Sequence, residues 1–268
     1  MPLNVFWVWT EGDREMKHAI RSMVFHRLGV DIVRYPHPNS LGAHLKRLFG
    51  VLDINLVLDV GAHYGEYAIF LRQVVGYRGA IVSFEPVSVS FQVLKPICER
   101  DNQWACYNLA LGSTNEIRSI HITQASNFSS LGLPNQFAFQ RFGEAVRVQH
   151  TETVQIRRLD EVFTTVIAEN IIPRAFLKLD TQGWDREVLQ GATRCLPSIL
   201  ALQAELPVKA IYDDPPPPTW LELLAETSHW GFAVTGLFPV SRDRDLSVIE
   251  FDCVFTRSQQ TPVRLDDR

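Results

Sequence analysis

The sequence predicts an α/β fold: a mostly parallel sheet with helices on both faces, finished by an antiparallel pair of strands. Three observations carry this. Short apolar, β-branched runs alternate with stretches of helical length, as in strand–helix–strand units around a buried parallel sheet. The first clear run, Ile54 to Val60, stops at a turn holding Gly61 and Gly65. The last two runs, Phe232 to Phe238 and Ser247 to Phe255, are joined by a charged turn (Arg242 to Asp245) too short for a crossover, so they pair antiparallel.

The elements follow in order. Met16, Ile20, Met23 and Leu28 recur at helical spacing from Asp13 onward, and Leu41, Leu45 and Leu48 repeat it, with a brief extended piece, Asp31 to Tyr35, between them. Residues 1–50 therefore read as a helical extension packed on the core. After the first strand, Tyr67 to Val75 suits a helix ending near Gly76. Ala80 to Phe84 suits a second strand, Ser88 to Arg100 a helix, and Trp104 to Leu109 a third strand. Ile117 to Ile122 and Val146 to Ile156 look like strands flanking a polar excursion, Asn127 to Gly143, which is too long for an ordinary connection. Ala175 to Leu179 and Ile199 to Ala204 resume the strands, with a helix over Trp184 to Gly191. Past the proline run Pro215 to Pro218, Thr219 and Glu222 have capping-box spacing.

Composition narrows the function. With 46% hydrophobic and 21% charged residues, the 268-residue chain can pack a core. Its net charge of −4 argues against a nucleic-acid partner, because phosphate binding needs surplus positive charge. Four scattered cysteines without a CxxC suit a reducing compartment. No stretch reaches about 18 apolar residues, so no integral membrane segment is expected. The expectation is a soluble, cytoplasmic protein acting on a small-molecule or glycan acceptor, with a homo-oligomer left open.

The segment Asp59-Val-Gly-Ala-His-Tyr-Gly65 is Asp-x-Gly-x-x-x-Gly rather than GxGxxG. Glycines between a buried strand and a helix let backbone approach a ligand, and the helix start adds unpaired N–H groups. An acid at the strand end repels pyrophosphate and welcomes a cationic group, which favours S-adenosylmethionine over a dinucleotide. Glu85 closes the second strand, where a carboxylate can take both ribose hydroxyls, and Pro86 fixes the turn after it. Asp180 and Glu205 close later strands and Asp252 lies in the last one. Three acids meeting at one crevice could act as a general base, as hydroxyl-orienting groups or as a hard-metal site. His63 could contact cofactor or substrate, or simply fill the loop; His121 and His150 could each be a base or structural. Ser126 to Ser130 clusters hydroxyl and amide groups for polar contacts.

These pieces, taken in order, resemble the FkbM family of S-adenosylmethionine-dependent methyltransferases. The resemblance rests on Val57 to Gly65, Ile81 to Pro86, Asn108 to Gly112, Arg158 to Asp160, Leu177 to Gly183, Val188 to Ala192, Ala204 to Leu206 and Glu250 to Arg257. It implies a class I methyltransferase (Rossmann-like) sheet with a reversed final strand; the domain is expected over residues 51–257, with an insertion around 123–150 and a flexible tail over 258–268. It also implies O-methylation of a sugar, glycolipid or natural-product hydroxyl. Asp59, Gly61 and Gly65 would cradle the methionine part of the cofactor, Glu85 the ribose, and Asn108, Leu109 and Ala110 would lie near the adenine, with Ala62, His63, Tyr67, Pro86 and Asp180 also expected to bind the cofactor. Asp180 would sit near the transferred methyl and act catalytically with Glu205. Ser129, Ser130, Gln182 and Asp252 would face the substrate. His63 stands where the family commonly has asparagine, and Asp185 where glutamate is frequent. Distant relatives use a divalent cation such as Mg²⁺; no metal ligand is assigned here. Two other readings keep the same strand–loop–helix: a non-catalytic S-adenosylmethionine-binding protein, which would bind without transfer, and an NAD(P)-dependent oxidoreductase, expected to carry GxGxxG and lack the closing hairpin.

Overall fold

The computed structural model describes residues 39–166, 172–213 and 216–258. The expected helix from Asp13, the extended piece Asp31 to Tyr35 and the tail beyond Ser258 lie outside these residues.

The chain opens with α1 (Leu41–Leu52), whose first turn is capped by the Ser40 side chain. Its buried Leu45, Leu48 and Phe49 pack on the sheet, and Phe49 meets Phe176 edge-on at 4.9 Å. β1 (Leu56–Val60) leads into α2 (Glu66–Val75), whose last turn widens to π geometry before Gly76 ends it at φ 79°. β2 (Ala80–Phe84), α3 (Ser88–Cys98) and β3 (Trp104–Tyr107) follow. The chain then breaks at Asn108, whose side-chain amide donates to the carbonyls of Glu85 and Pro86. The expected strand Trp104 to Leu109 is thereby cut short, and Ala110–Leu111 (β4) joins a second sheet with β5 (Glu116–Thr123) and β6 (Val148–Arg157). The excursion between β5 and β6 includes α4 (Gln136–Phe142). α5 (Leu159–Val166), β7 (Ala175–Leu179), α6 (Asp185–Gln190), β8 (Ile199–Pro207), α7 (Trp220–His229), β9 (Phe232–Arg242) and β10 (Val248–Arg257) complete the chain. Thr219 and Glu222 form the expected capping box of α7.

The main sheet runs β3-β2-β1-β7-β8-β10-β9, with β10 antiparallel to both its neighbours and the other pairs parallel. This is the class I methyltransferase-type arrangement that the sequence predicts. Alternation along each strand separates two apolar layers. In β1, Leu56, Leu58 and Val60 enter one layer and Val57 the other. Each such side chain, fully buried, contributes about 1.5–3 kcal/mol.

One row interrupts the second layer. Ser83, Asp59, Lys178 and Gln203 stand in register across β2, β1, β7 and β8, and all four are buried. Polar groups inside an apolar layer must satisfy one another. Trp104 Nε1 donates to Ser83 Oγ (2.9 Å), Ser83 Oγ to Asp59 Oδ2 (2.9 Å), and Gln203 Nε2 to Asp252 Oδ1 (2.9 Å). The strand order reverses between β1 and β7, which opens a crevice beyond their carboxyl ends.

Candidate active site

That crevice is a cavity of about 540 Å³. Its floor is the loop after β1, its far walls are the ends of β2, β7 and β8, and the excursion covers it.

The glycine loop is built differently from what its pattern suggests. Gly61 lies at φ 77°, and a Cβ there would stand 1.9 Å from the Asp180 carbonyl oxygen. A Cβ at Gly65, at φ 89°, would meet Trp104 at 2.7 Å and Leu94 at 2.9 Å. Both glycines are therefore required by protein–protein contact, β1 against β7 and helix against core, rather than by room for a ligand. His63 takes φ 48°, a left-handed conformation in which Asn, Asp and His are enriched among side-chain-bearing residues.

Glu85 is buried at the end of β2, with Oε2 accepting from His63 N (2.7 Å) and Oε1 from Val87 N (2.8 Å). Burial raises its pKa to about 7 against these two bonds. Each oxygen can accept a further hydrogen bond, and Glu85 lines the cavity.

At the end of β7, Lys178 Nζ lies 3.2 Å from Asp59 Oδ1 and 3.2 Å from Asp180 Oδ2, and it donates to the Gly61 carbonyl (3.0 Å). Burial opposes this charge, but Asp180 and Asp59 outweigh burial and the ammonium's pKa is raised. Asp180 in turn accepts from Gln182 Nε2 (3.0 Å), and the same nitrogen donates to Glu205 Oε2 (3.3 Å). Burial, and then the neighbouring Asp180, push the Glu205 carboxyl well up. Burial likewise raises Glu250, and it takes Asp185 and Asp252 to about 6 each.

Of the residues singled out from sequence, Gly61, Ala62, His63, Tyr67, Glu85, Pro86, Leu109, Ala110, Ser129, Asp180, Gln182 and Glu205 line this one cavity. Five others stand behind it. Asp59 is fully buried on Lys178 and Ser83, and Gly65 is packed into the core. Asn108 braces the β2 turn, and Asp252 is held by Gln203. Ser130 is buried, donating to the Gln182 carbonyl (2.7 Å) and accepting from Gly132 N (3.0 Å). Of the two other histidines, His121 pairs with Ser130 through its backbone and His150 stands 3.6 Å from Glu152. Among the described residues, no group of three or more His, Cys, Asp or Glu is arranged to hold a metal ion. No helix among them is long and apolar enough to cross a membrane.

Several lining residues were not singled out from sequence. Lys178 had a legible signal, being the lone charge in the apolar strand Ala175–Leu179, where it can only be paired. Glu250, Ser241 and Trp184 gave none, since each reaches the cavity through tertiary placement.

A family model described as the methyltransferase FkbM domain matches residues 59–232. Among solved structures, the methyltransferase FkbM of Methylobacillus flagellatus is 17% identical with a TM-score of 0.46; the alignment covers 76% of this chain and 44% of that one. The chain thus spans less than half the length of that protein. The 1,6-didemethyltoxoflavin-N1-methyltransferase of Burkholderia thailandensis, solved with 1,6-didemethyltoxoflavin and S-adenosylhomocysteine, is 10% identical with a TM-score of 0.42, covering 96% and 94%. The magnesium protoporphyrin IX methyltransferase of Synechocystis, solved with S-adenosylmethionine, is 10% identical with a TM-score of 0.42, covering 90% and 97%. No curated protein matches the chain.

Proposed function

Since the chain belongs to the methyltransferase FkbM domain family, we propose that it transfers a methyl group from S-adenosylmethionine to a hydroxyl of a sugar, glycolipid or natural-product acceptor. The observation that carries this reading is the pairing of Glu85 and Asp180. They close strands on either side of the switch point and line the same cavity. The residues present suit the cofactor: Glu85 keeps acceptor capacity for ribose hydroxyls, and a lining rich in carboxyls favours a cationic ligand. When bound, the cofactor supplies a methyl carbon made electrophilic by its sulfonium.

The chain's own residues supply the rest. The loop Gly61 to His63 and the turn Leu109 to Ala110 hold the two ends of the cofactor, and Glu85 holds the ribose between them. Asp180, fixed by Lys178, accepts the acceptor's hydroxyl proton as the new bond forms. A positioned base of this kind contributes about 10²–10⁴-fold. Glu205, joined to Asp180 through the Gln182 amide nitrogen, orients the hydroxyl. Phe128 and Phe142 line the covering wall and exclude water.

Calorimetry with S-adenosylmethionine and, separately, with NAD tests the cofactor; absence of S-adenosylmethionine binding by folded protein removes the reading. Labelled-methyl transfer into a cell extract tests the chemistry. Asp180→Asn is expected to retain cofactor affinity and to lose at least about a hundredfold in transfer. Undiminished transfer would remove Asp180 from the reaction.

A further inference from the structure

Building on the methyl-transfer reading, we propose that Tyr212 and Gln182 are positioning residues for Asp180, and that the excursion between β5 and β6 is the scaffold that holds them. Gln182 carries a side chain at φ 53°, a conformation an L residue keeps only when held. It is held at both ends. Ser130 of the excursion donates to its backbone carbonyl at 2.7 Å, and the Tyr212 hydroxyl lies 2.8 Å from its Oε1.

The chemistry of the amide makes Tyr212 decisive. A carboxylate only accepts, so the nitrogen end of Gln182 must face Asp180 and Glu205. The oxygen end then needs a donor, and Tyr212 provides it. Without that hydroxyl the oxygen end loses its donor, and only the carboxylates hold the amide against a flip that would turn its oxygen on them. Asp180 is crowded enough for this to matter: among the described residues Lys178 is its one cationic partner, and Asp185, Glu205, Glu250 and Asp252 are carboxyls close enough to feel the charge of Asp180.

Tyr212 is placed by the excursion. Asp213 N donates to the Leu133 carbonyl (3.0 Å), Asn135 N to the Ile211 carbonyl (3.0 Å), and Asn135 Nδ2 to the Ala210 carbonyl (2.9 Å). Ala138, Val146, Ile211, Tyr212 and Ile249 form a small separate core there. The Tyr212 hydroxyl also lies 3.1 Å from the Phe128 carbonyl of the same segment. Both groups that fix Gln182 thus depend on one insertion.

The test needs no acceptor. In the full chain labelled with ¹⁵N at Gln side-chain amides, the Gln182 amide protons, donated to Asp180 and Glu205, are expected to exchange slowly with solvent. Tyr212→Phe is expected to shift the Gln182 amide signals and to speed their exchange by about tenfold or more, while S-adenosylmethionine affinity by calorimetry stays within about twofold. Ser130→Ala, which leaves Tyr212 in place, should speed the exchange in the same direction. A folded Tyr212→Phe protein with unchanged Gln182 amide signals and exchange overturns the proposal. If Asp180→Asn retains full methyl transfer, the base assignment fails while the exchange result still stands, so the two failures are separable.

Discussion

Replacing Lys178 with methionine removes the ammonium from a site where two carboxylates converge, and the structure says which carboxylate suffers. The Asp180 side chain is 36% exposed and can be rehydrated, whereas that of Asp59 is 0% exposed and cannot. Methionine fills the stem of the lysine but leaves Asp59 as an uncompensated buried charge, which costs about 3–5 kcal/mol. For a domain near this size each kcal/mol lowers Tm by about 2–4 °C, so the expected drop is about 6–20 °C. Neighbouring carboxylates raise the Lys178 pKa, so its contribution is fully present below the unfolded lysine value of about 10.4 and is lost only as pH rises through the higher folded value. Urea denaturation at pH 7 and 9 should therefore give the same loss. The decisive comparison is the double variant Lys178→Met/Asp59→Leu, which removes both charges and should recover about 2 kcal/mol or more of the single-variant loss. A single variant within about 1 kcal/mol of the parent, or a double variant no more stable than the single, would refute the claim that this ion pair organises the strand ends.

Three further outcomes are expected. Glu85 is protonated below about pH 7, and ribose hydroxyls bind its charged form, so S-adenosylmethionine affinity should fall as pH drops through 7. The fall approaches about tenfold per unit; calorimetry from pH 5.5 to 8 measures it, and a flat profile contradicts it. Gly61→Ala forces a Cβ to 1.9 Å from the Asp180 carbonyl at φ 77°. Overpacking of about 1–3 kcal/mol and the left-handed backbone at about 1–2 kcal/mol predict a loss of about 2–5 kcal/mol in urea denaturation. Thr219→Ala removes the capping box of α7 and should lower stability by about 1 kcal/mol without changing S-adenosylmethionine affinity.

Most of the sheet was legible because buried parallel strands advertise themselves. Ala80–Phe84 and Ala175–Leu179 are apolar runs broken only by Ser83 and Lys178, and the observed strands have the same bounds. What sequence could not supply was partnership at a distance. The excursion reads as a polar loop because the burial of Ala138 makes sense only against Ile211 and Ile249, far later in the chain. Asn108 likewise ends β3 through bonds to Glu85 and Pro86 that no local pattern announces. Within the site, the strand-end acids Glu85, Asp180 and Glu205 were readable, since the end of a buried strand is a fixed address. Ser130 was misleading for the opposite reason: its hydroxyl looked free in the sequence but is occupied by the Gln182 carbonyl and Gly132 N.

The buried row Ser83–Asp59–Lys178–Gln203 has a consequence for how such a protein can be redesigned. It ties Asp180, through Lys178, to buried strands in the middle of the sheet. The cavity walls contributed by the excursion and the β9–β10 hairpin are both peripheral to that anchor. Under the proposed function, chemistry and acceptor choice are therefore mechanically separable, provided Tyr212 and Ser130 keep their grip on Gln182. Libraries that vary Phe128, Phe142, Val240 and Ser241 can explore new acceptors on an unchanged reaction centre.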